Sequence, residues 1–262
     1  MNKAFLWVLV AAVAIGSGVI LYYGLQGMGP EFTLPTARPA ATPSPPPAGT
    51  KSEPRFPIEA QEKPLPSLGE SDPALRGAVF GLLDDKSLES LLVPQDFVKR
   101  VVATIDNLPR RKLAPRLMPV KPAGGALATT GGDTDGVIAP RNSARYARYV
   151  RLAEAMDTRR LVAVYVHFYP LFQQAFRELG YPNGYFNDGL IEAIDSLLAA
   201  PDVREPVRVV RPKVFYQLAD PELEVLPAGQ KVLLRIGPEN ASRVKAKLRE
   251  IRAELTKEAR KQ

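Results

Sequence analysis

The sequence predicts a mainly α protein with a minor β element: an N-terminal transmembrane helix, a proline-rich linker and one compact helical domain. Three observations predict it. Residues 4–25 carry no charge, the 26 prolines crowd into the first half of the chain, and from residue 71 onward apolar side chains recur at helical spacing. The expected boundaries are 1–26 for the membrane segment, 27–66 for the linker and 67–262 for the domain.

Residues 4–25 read AFLWVLVAAVAIGSGVILYYGL. At 1.5 Å rise per residue, roughly 20 apolar residues cross a hydrocarbon core about 30 Å thick. Trp7 stands near one end and Tyr22 and Tyr23 near the other, where amphipathic rings favour the headgroup level. A cleavable signal peptide is the rival reading. Gly27, Met28 and Gly29 offer small residues for a cut, but Pro30 would follow it and oppose cleavage, so a retained signal-anchor is expected. Lys3 and the terminal amine flank one side, whereas the other has Glu31 and no basic residue before Arg38. The positive-inside rule then places the domain outside the cytoplasm, in a bacterium as a single-pass inner-membrane protein with a periplasmic C-terminal domain. Ala12 with Gly16, and Ala14 with Gly18, are spaced to let two such helices pack as a homodimer, although ordinary lipid-facing positions read the same way.

The stretch 27–66 is rich in Pro, Ala, Thr and Ser and contains Pro43-Ser44-Pro45-Pro46-Pro47. Proline lacks an N–H and fixes φ, so neither helix nor central strand is expected. At most about 3.1 Å per residue, some 40 residues reach about 120 Å, a distance-spanning tether.

Composition narrows the chemistry. Hydrophobic residues make up 45% of the 262, enough for a core, and there is no cysteine and one histidine, His167. Disulfides, thiolate metal sites, thiol nucleophiles and multi-histidine metal sites are thereby excluded, and no cofactor is expected. The net charge of +7 is unevenly spread. Residues 51–96 hold five basic and nine acidic residues, whereas 99–121 hold seven basic residues against Asp106 alone. That asymmetry points to an anionic partner or to two faces of one domain.

Within the domain, Ser71-Asp72-Pro73 is a helix start, followed by Leu75, Val79, Leu82 and Leu83. A second helix is expected over 95–106, burying Phe97, Val98, Val101, Val102 and Ile105, and ending at Leu108-Pro109. Residues 107–140 hold too many prolines and glycines for long regular structure. They read as an ordered basic strap, with Leu113, Leu117, Met118 and Val120 available for packing, and then a loop. Helix resumes near Asn142 through Tyr146, Tyr149, Val150, Ala153 and Met156. Another follows Asp157-Thr158, and Pro170 is expected to kink or split it. After a turn over 180–189, Leu190, Ile191, Ile194, Leu197 and Leu198 mark an amphipathic helix. Residues 207–210 and 213–216 have strand character. A short helix over 228–236 ends at Gly237, and Pro238 opens a long last helix with a stripe of Val244, Leu248, Ile251 and Leu255.

Four runs, VATIDNLPRRKLAPRLMPVKPAGG, FYPLFQQAFRELGYPNGYFNDGLIEAID, VRPKVFYQLADPELE and AGQKVLLRIGPENASRVKAKLREIR, resemble the family called domain of unknown function 3014. The resemblance covers roughly residues 56–255. It implies a membrane-anchored bacterial envelope protein with a proline-rich tether, and it implies no activity and no catalytic residues.

Several motifs fail on inspection. Ser242-Arg243-Val244-Lys245 matches S-x-x-K of penicillin-binding enzymes, but their S-D-N and K-T-G elements are missing. Asp133-Thr134-Asp135-Gly136 resembles part of a calcium loop, yet an EF-hand register puts Gly131 first and Asn142 twelfth. His167 lies among apolar helix residues, where a structural role is commoner than a general base. Glu192, Asp195, Asp220, Glu222 and Glu224 would be the carboxylates of a glycosidase, but their spacing matches surface and turn positions.

Two features keep functional weight. The strap presents Arg110, Arg111, Lys112, Arg116 and Lys121 on a proline-stiffened segment, suited to phosphate or carboxylate groups. An anionic lipid or polymer or an acidic envelope protein fits better than nucleic acid, given the orientation of the anchor. Pairing with the acidic stretch at Asp84, Asp85 and Glu89 is the competing account. Second, ten of the chain's aromatic residues cluster between Tyr146 and Phe186, and the GYPNGYF turn offers Tyr181, Tyr185 and Phe186 as a groove for peptide or glycan, or simply as core. The expected function is a non-enzymatic, membrane-tethered periplasmic domain that binds a protein or anionic envelope component; the alternative is a cell-envelope hydrolase acting on glycan or peptide.

Overall fold

The computed structural model describes residues 53–59, 64–83, 85–132, 134–204 and 206–260. The expected membrane span and residues 27–52 of the expected tether lie outside them. Among the described residues no helix is long and apolar enough to cross a membrane.

The described chain is mainly helical with a small antiparallel sheet. The first helix, α1 (Asp72–Phe80), starts where the Ser-Asp-Pro signal puts it and stops at Gly81. Leu82 and Leu83, expected on its apolar face, are buried in the turn beyond it. The cap also differs. Ser71 turns its hydroxyl to the carbonyl of Leu68, and the Asp72 carboxylate reaches across to accept the N–H groups of Asp96 (2.7 Å) and Phe97 (2.9 Å). Those are the first free donors of α2 (Phe97–Asn107), so Asp72 serves a neighbouring helix. Asp96 itself sits at φ 50° and its side chain caps nothing.

Helix α2 buries the five residues expected of it, together with Ala103 and Thr104. Between α2 and α3 (Pro140–Ala144) the loop is interrupted by a hairpin, β1 (Thr129–Gly131) and β2 (Asp135–Ile138), that the sequence did not announce. The helix expected after Asn142 is broken at Arg145-Tyr146 into α3 and α4 (Ala147–Glu154).

Helix α5 (Thr158–Glu178) begins under an Asp157 cap, whose carboxylate accepts the Arg160 N–H at 2.8 Å, and it runs unbroken through Pro170. The expected split does not occur. Pro170 and Val166, whose carbonyl loses its helical partner to the proline, are both half-buried, on the side of the helix nearest water. Helix α6 (Phe186–Leu198) follows the expected turn.

Strands β3 (Arg208–Val210) and β4 (Gln217–Leu218) complete an antiparallel sheet ordered β1-β2-β3-β4. Residues 213–216, expected as strand, instead belong to the connecting loop: with Pro212 unable to donate, the ladder closes only at Gln217. Two short helices, α7 (Pro221–Glu224) and α8 (Ala228–Arg235), lead to α9 (Pro238–Ala259). Gly237 precedes α9 at φ 89°, and a Cβ there would stand 2.2 Å from Ser143 Oγ. Only glycine fits both requirements.

The main core is made by α2, α5, α6 and α9, with Val244, Leu248, Ile251 and Leu255 of α9 all buried as expected. Leu127, Val209, Leu218 and Leu234 form a separate small core beneath the sheet. Part of the expected tether also packs on the domain. Phe56 and Ile58 lie against the main core, and the Asp188 carboxylate accepts the N–H groups of Arg55 (3.0 Å) and Phe56 (2.9 Å).

Candidate binding surfaces

The strap begins where α2 ends. Its backbone is held from several sides. Arg100 donates to the carbonyls of Arg116 (2.5 Å) and Met118 (3.3 Å), and Thr104 to that of Leu117. The Val93 N–H meets the Pro119 carbonyl at 2.9 Å, the Lys121 N–H meets that of Leu91 at 2.7 Å, and the Tyr149 hydroxyl donates to the Lys121 carbonyl. Met118 and Val120 are buried and Leu113 half-buried. Leu117, expected to pack, is instead 44% exposed. The segment is therefore irregular but fixed, as backbone groups near a core must be when no ladder serves them.

Its five cations fall into two groups. Arg110 is paired: Nη2 lies 2.8 Å from Asp106 Oδ1 and 2.6 Å from the Tyr181 hydroxyl, which in turn donates to Asp106 Oδ1 at 2.6 Å. Asp106 holds the Arg110 proton more tightly than usual and, by the same kind of hydrogen bond, raises the Tyr181 phenol above its ordinary value. Arg111, Lys112, Arg116 and Lys121 are exposed, and their side chains have no hydrogen bond or ion pair among the described residues.

Of the competing acids, Asp85 and Glu89 make no ion pair with the strap among the described residues. Asp84 lies outside the described residues. The Ser87 hydroxyl, and after it the Ser87 N–H at 2.9 Å from Asp85 Oδ1, hold the Asp85 carboxyl below the usual range, and the nearby cations that help are Arg151 and Arg148. Among the described residues the acid paired with the strap is Asp106, the one acid within the basic run.

Tyr181 also stacks on Phe176, with centroids 4.4 Å apart and planes 10° from parallel. Between the end of α2 and the α5–α6 turn this leaves an open cleft of about 320 Å³ whose lining includes Asp106, Arg110, Phe176, Tyr181, Phe186 and Glu192. One strap residue and two of the three expected groove aromatics therefore meet at one place. Phe186 is 1% exposed and stacks on Phe172, so it is core that floors the cleft rather than a presented ring. Tyr185 stands apart, half-buried at the start of α6. The i, i+4 spacing of Asp106 and Arg110 was a usable signal for their pair; nothing in the sequence joined either to Tyr181.

The rejected catalytic candidates have structural places. Ser242 and Lys245 do line one cleft, of about 250 Å³, but Lys245 is 3% exposed and its ammonium donates to the Ala200 carbonyl (2.5 Å) and to Asp202 (2.6 Å). An ammonium held by two acceptors is a poor proton acceptor for a serine. His167 is half-buried, its ring edge-on to Phe168. Asp195 binds Arg252, Asp220 caps α7, and Glu224 accepts from the Leu218 N–H and from Lys231, while Glu192 lies 3.9 Å from Arg55. Asp135 is in β2, and Asp133 lies outside the described residues. Among the described residues no group of three or more His, Asp or Glu is placed to hold a metal ion.

The sequence profile of a family described as protein of unknown function (DUF3014) matches residues 97–252, more than half of the chain. The chain belongs to this family. The matched DUF3014 region runs from the start of α2 to within α9 and so includes the strap, the cleft and the sheet. The family description names no activity, and no residue role is inherited from it. No curated protein and no solved structure matches the chain.

Proposed function

We propose that this protein is a non-enzymatic, membrane-tethered domain of the bacterial envelope that binds a protein or anionic envelope component through the strap. The observation that carries the reading is the contrast within the strap: a backbone fixed by hydrogen bonds from Arg100, Thr104, Val93 and Tyr149, and four exposed cations with no counter-ion among the described residues. Cations displayed on a prefixed backbone lose little entropy when they meet phosphate or carboxylate, and guanidinium groups match those anions in shape. The anchor at 4–25 and its periplasmic orientation rest on the uncharged run and on Lys3.

The test uses the full chain in its host membrane, with a photo-crosslinker at the exposed strap position Leu117. Capture of a partner is expected, and it should be lost in Arg111→Gln/Lys112→Gln with no change in melting temperature. Undiminished capture by that variant would remove the strap from the reading. A C-terminal alkaline phosphatase fusion should be active; an inactive fusion beside an active cytoplasmic reporter would invert the topology.

A further inference from the structure

Lys245, at 3% exposure, is the one buried lysine among the described residues. Its ammonium carries three N–H groups, and away from water each needs an acceptor. Ala200 supplies a carbonyl at 2.5 Å and Asp202 a carboxylate oxygen at 2.6 Å. The third N–H has no acceptor among the described residues. The two acceptors differ in kind. The Ala200 carbonyl closes off the end of α6 and is part of the fold, whereas the Asp202 side chain is 82% exposed, on the connection from α6 to β3. Asp202 can turn out into water at little cost.

Lys245 lines the cleft of about 250 Å³ between that connection and α9, and two further cations, Arg204 and Arg249, line it too. Both are exposed, and neither side chain has a hydrogen bond or ion pair among the described residues. Lys245, first by its hydrogen bond and then by its charge, holds the Asp202 carboxyl below its usual value, and Arg249 and Arg204 add to the effect. Asp202 is the one acid in the lining. Of the other acids on this part of α9, Glu239 acts on Arg243, and Glu250 accepts from Lys247 and Thr158. With Asp202 turned out, the cleft presents three positive charges, or a net of two if Glu205, which lies outside the described residues, is counted against them. That charge suits a dianion. A single carboxylate would only repeat what Asp202 already does.

We propose that this cleft binds a phosphate monoester, with Lys245, Arg204 and Arg249 holding the phosphoryl oxygens and Asp202 serving as a counter-ion that leaves when the ligand arrives. Such an ester carries a charge of about −1.5 to −2 at pH 7. Its organic part also has a place, because Val203, Leu233 and Pro238 give the cleft an apolar wall beside the cations. The opening turns of α9 border the same space through Ala241 and Ser242, and the start of a long helix favours negative charge there. The cleft shares no residue with the strap, so the proposal stands apart from the strap's role.

Calorimetric titration of the full chain in detergent reads the site, with glycerol 3-phosphate as a soluble ester and phosphatidic acid in mixed micelles as a lipid one. One ligand per chain is expected, and acetate at the same ionic strength should not bind. Binding of the soluble ester assigns the phosphoryl group to a small molecule, whereas binding of the lipid alone assigns it to a headgroup. Lys245 is buried, so its replacement would test folding as much as binding, and the two exposed side chains carry the test. Arg249→Gln should weaken binding about fivefold with no change in melting temperature. Asp202→Asn should do the opposite and tighten it about fivefold, because the ligand no longer competes with a carboxylate for Lys245. Arg111→Gln/Lys112→Gln in the strap should leave the titration as it was. Failure of both esters to bind overturns the proposal, as does equal binding of acetate. So does an Asp202→Asn chain that binds no tighter, an Arg249→Gln chain that binds as well, or a loss of binding in the strap variant.

Discussion

The Tyr181 hydroxyl donates a 2.6 Å hydrogen bond to Asp106, the same carboxylate oxygen that holds Arg110. This contact, between residues 75 apart, separates Arg110 from its neighbours in the strap. Arg110→Gln should therefore lower stability while Arg111→Gln and Lys112→Gln do not. Arg110 is half exposed, so solvent screening limits the loss to below about 1 kcal/mol. Melting curves of the three variants check the order; equal losses at all three would contradict it.

Asp72 is the second long-range device. It satisfies the Asp96 and Phe97 N–H groups, which no residue beside α2 does. Asp72→Ala should cost about 1 kcal/mol, the usual loss of an N-cap, and hydrogen exchange should quicken in the first turn of α2. Asp96→Ala, by contrast, removes no cap and relieves nothing at its φ of 50°. If the two substitutions proved equal in that turn, the capping role would be misassigned.

These contacts show where sequence reasoning works. Apolar spacing located α2, α5, α6 and α9, because a helix repeats its face every turn and the core needs that face. Hence Val244, Leu248, Ile251 and Leu255 could be named in advance. The β1–β2 hairpin could not, since its strands of three and four residues are too short to alternate legibly. Loop 213–216 misled for a related reason: Val, Phe and Tyr have strand preference, but preference does not say whether a partner strand is in reach. In the candidate site, the basic strap was visible as composition and the Asp106–Arg110 pair as spacing. The cleft was not, because Tyr181 and Phe186 reach it only through the packing of α5 against α2.

Ser242 and Lys245 test the hydrolase alternative. With the Lys245 ammonium held by Ala200 and Asp202, Ser242 has no free base beside it. A fluorophosphonate probe should leave the full chain unlabelled, and Ser242→Ala should change neither stability nor partner capture. Asp202→Ala should lower stability only slightly and lose that effect at high salt, since Asp202 is exposed. Labelling that disappears in Ser242→Ala would reinstate the enzyme.

The buried tyrosines predict alkaline behaviour. Burial pushes Tyr169 up to about 12, and Tyr146, Tyr149 and Tyr165 also rise, for the same first cause. Folded-state values above the unfolded one mean that the folded chain keeps protons the unfolded chain releases. Their contribution is complete below pH of about 10 and falls as pH climbs from 10 toward 12. Stability should drop steeply over that window, with part of the phenolate absorbance appearing only on unfolding. Full tyrosine ionisation ahead of unfolding would contradict the buried placements.

Asp188, early in α6, accepts the backbone N–H groups of Arg55 and Phe56, and Asn187 donates to the Phe56 carbonyl at 2.9 Å. The clamp is itself fixed, because Tyr165 donates to Asn187 Oδ1 at 3.0 Å from within the core. Trypsin requires an extended, detachable backbone around its target. It should therefore cut readily after Lys51 and slowly after Arg55, although the Arg55 side chain is exposed and its 3.9 Å approach to Glu192 adds little. Asp188→Ala removes both carboxylate acceptors and leaves the Asn187 hydrogen bond and the packing of Phe56 and Ile58 as the remaining hold, so cleavage after Arg55 should accelerate while the melting temperature of the remaining domain barely moves. Glu192→Gln should leave the cleavage pattern unchanged. Mass spectrometry of the resistant fragment reads the outcome, and rapid cutting after Arg55 in the unaltered chain would mean that this segment belongs to the tether and not to the fold.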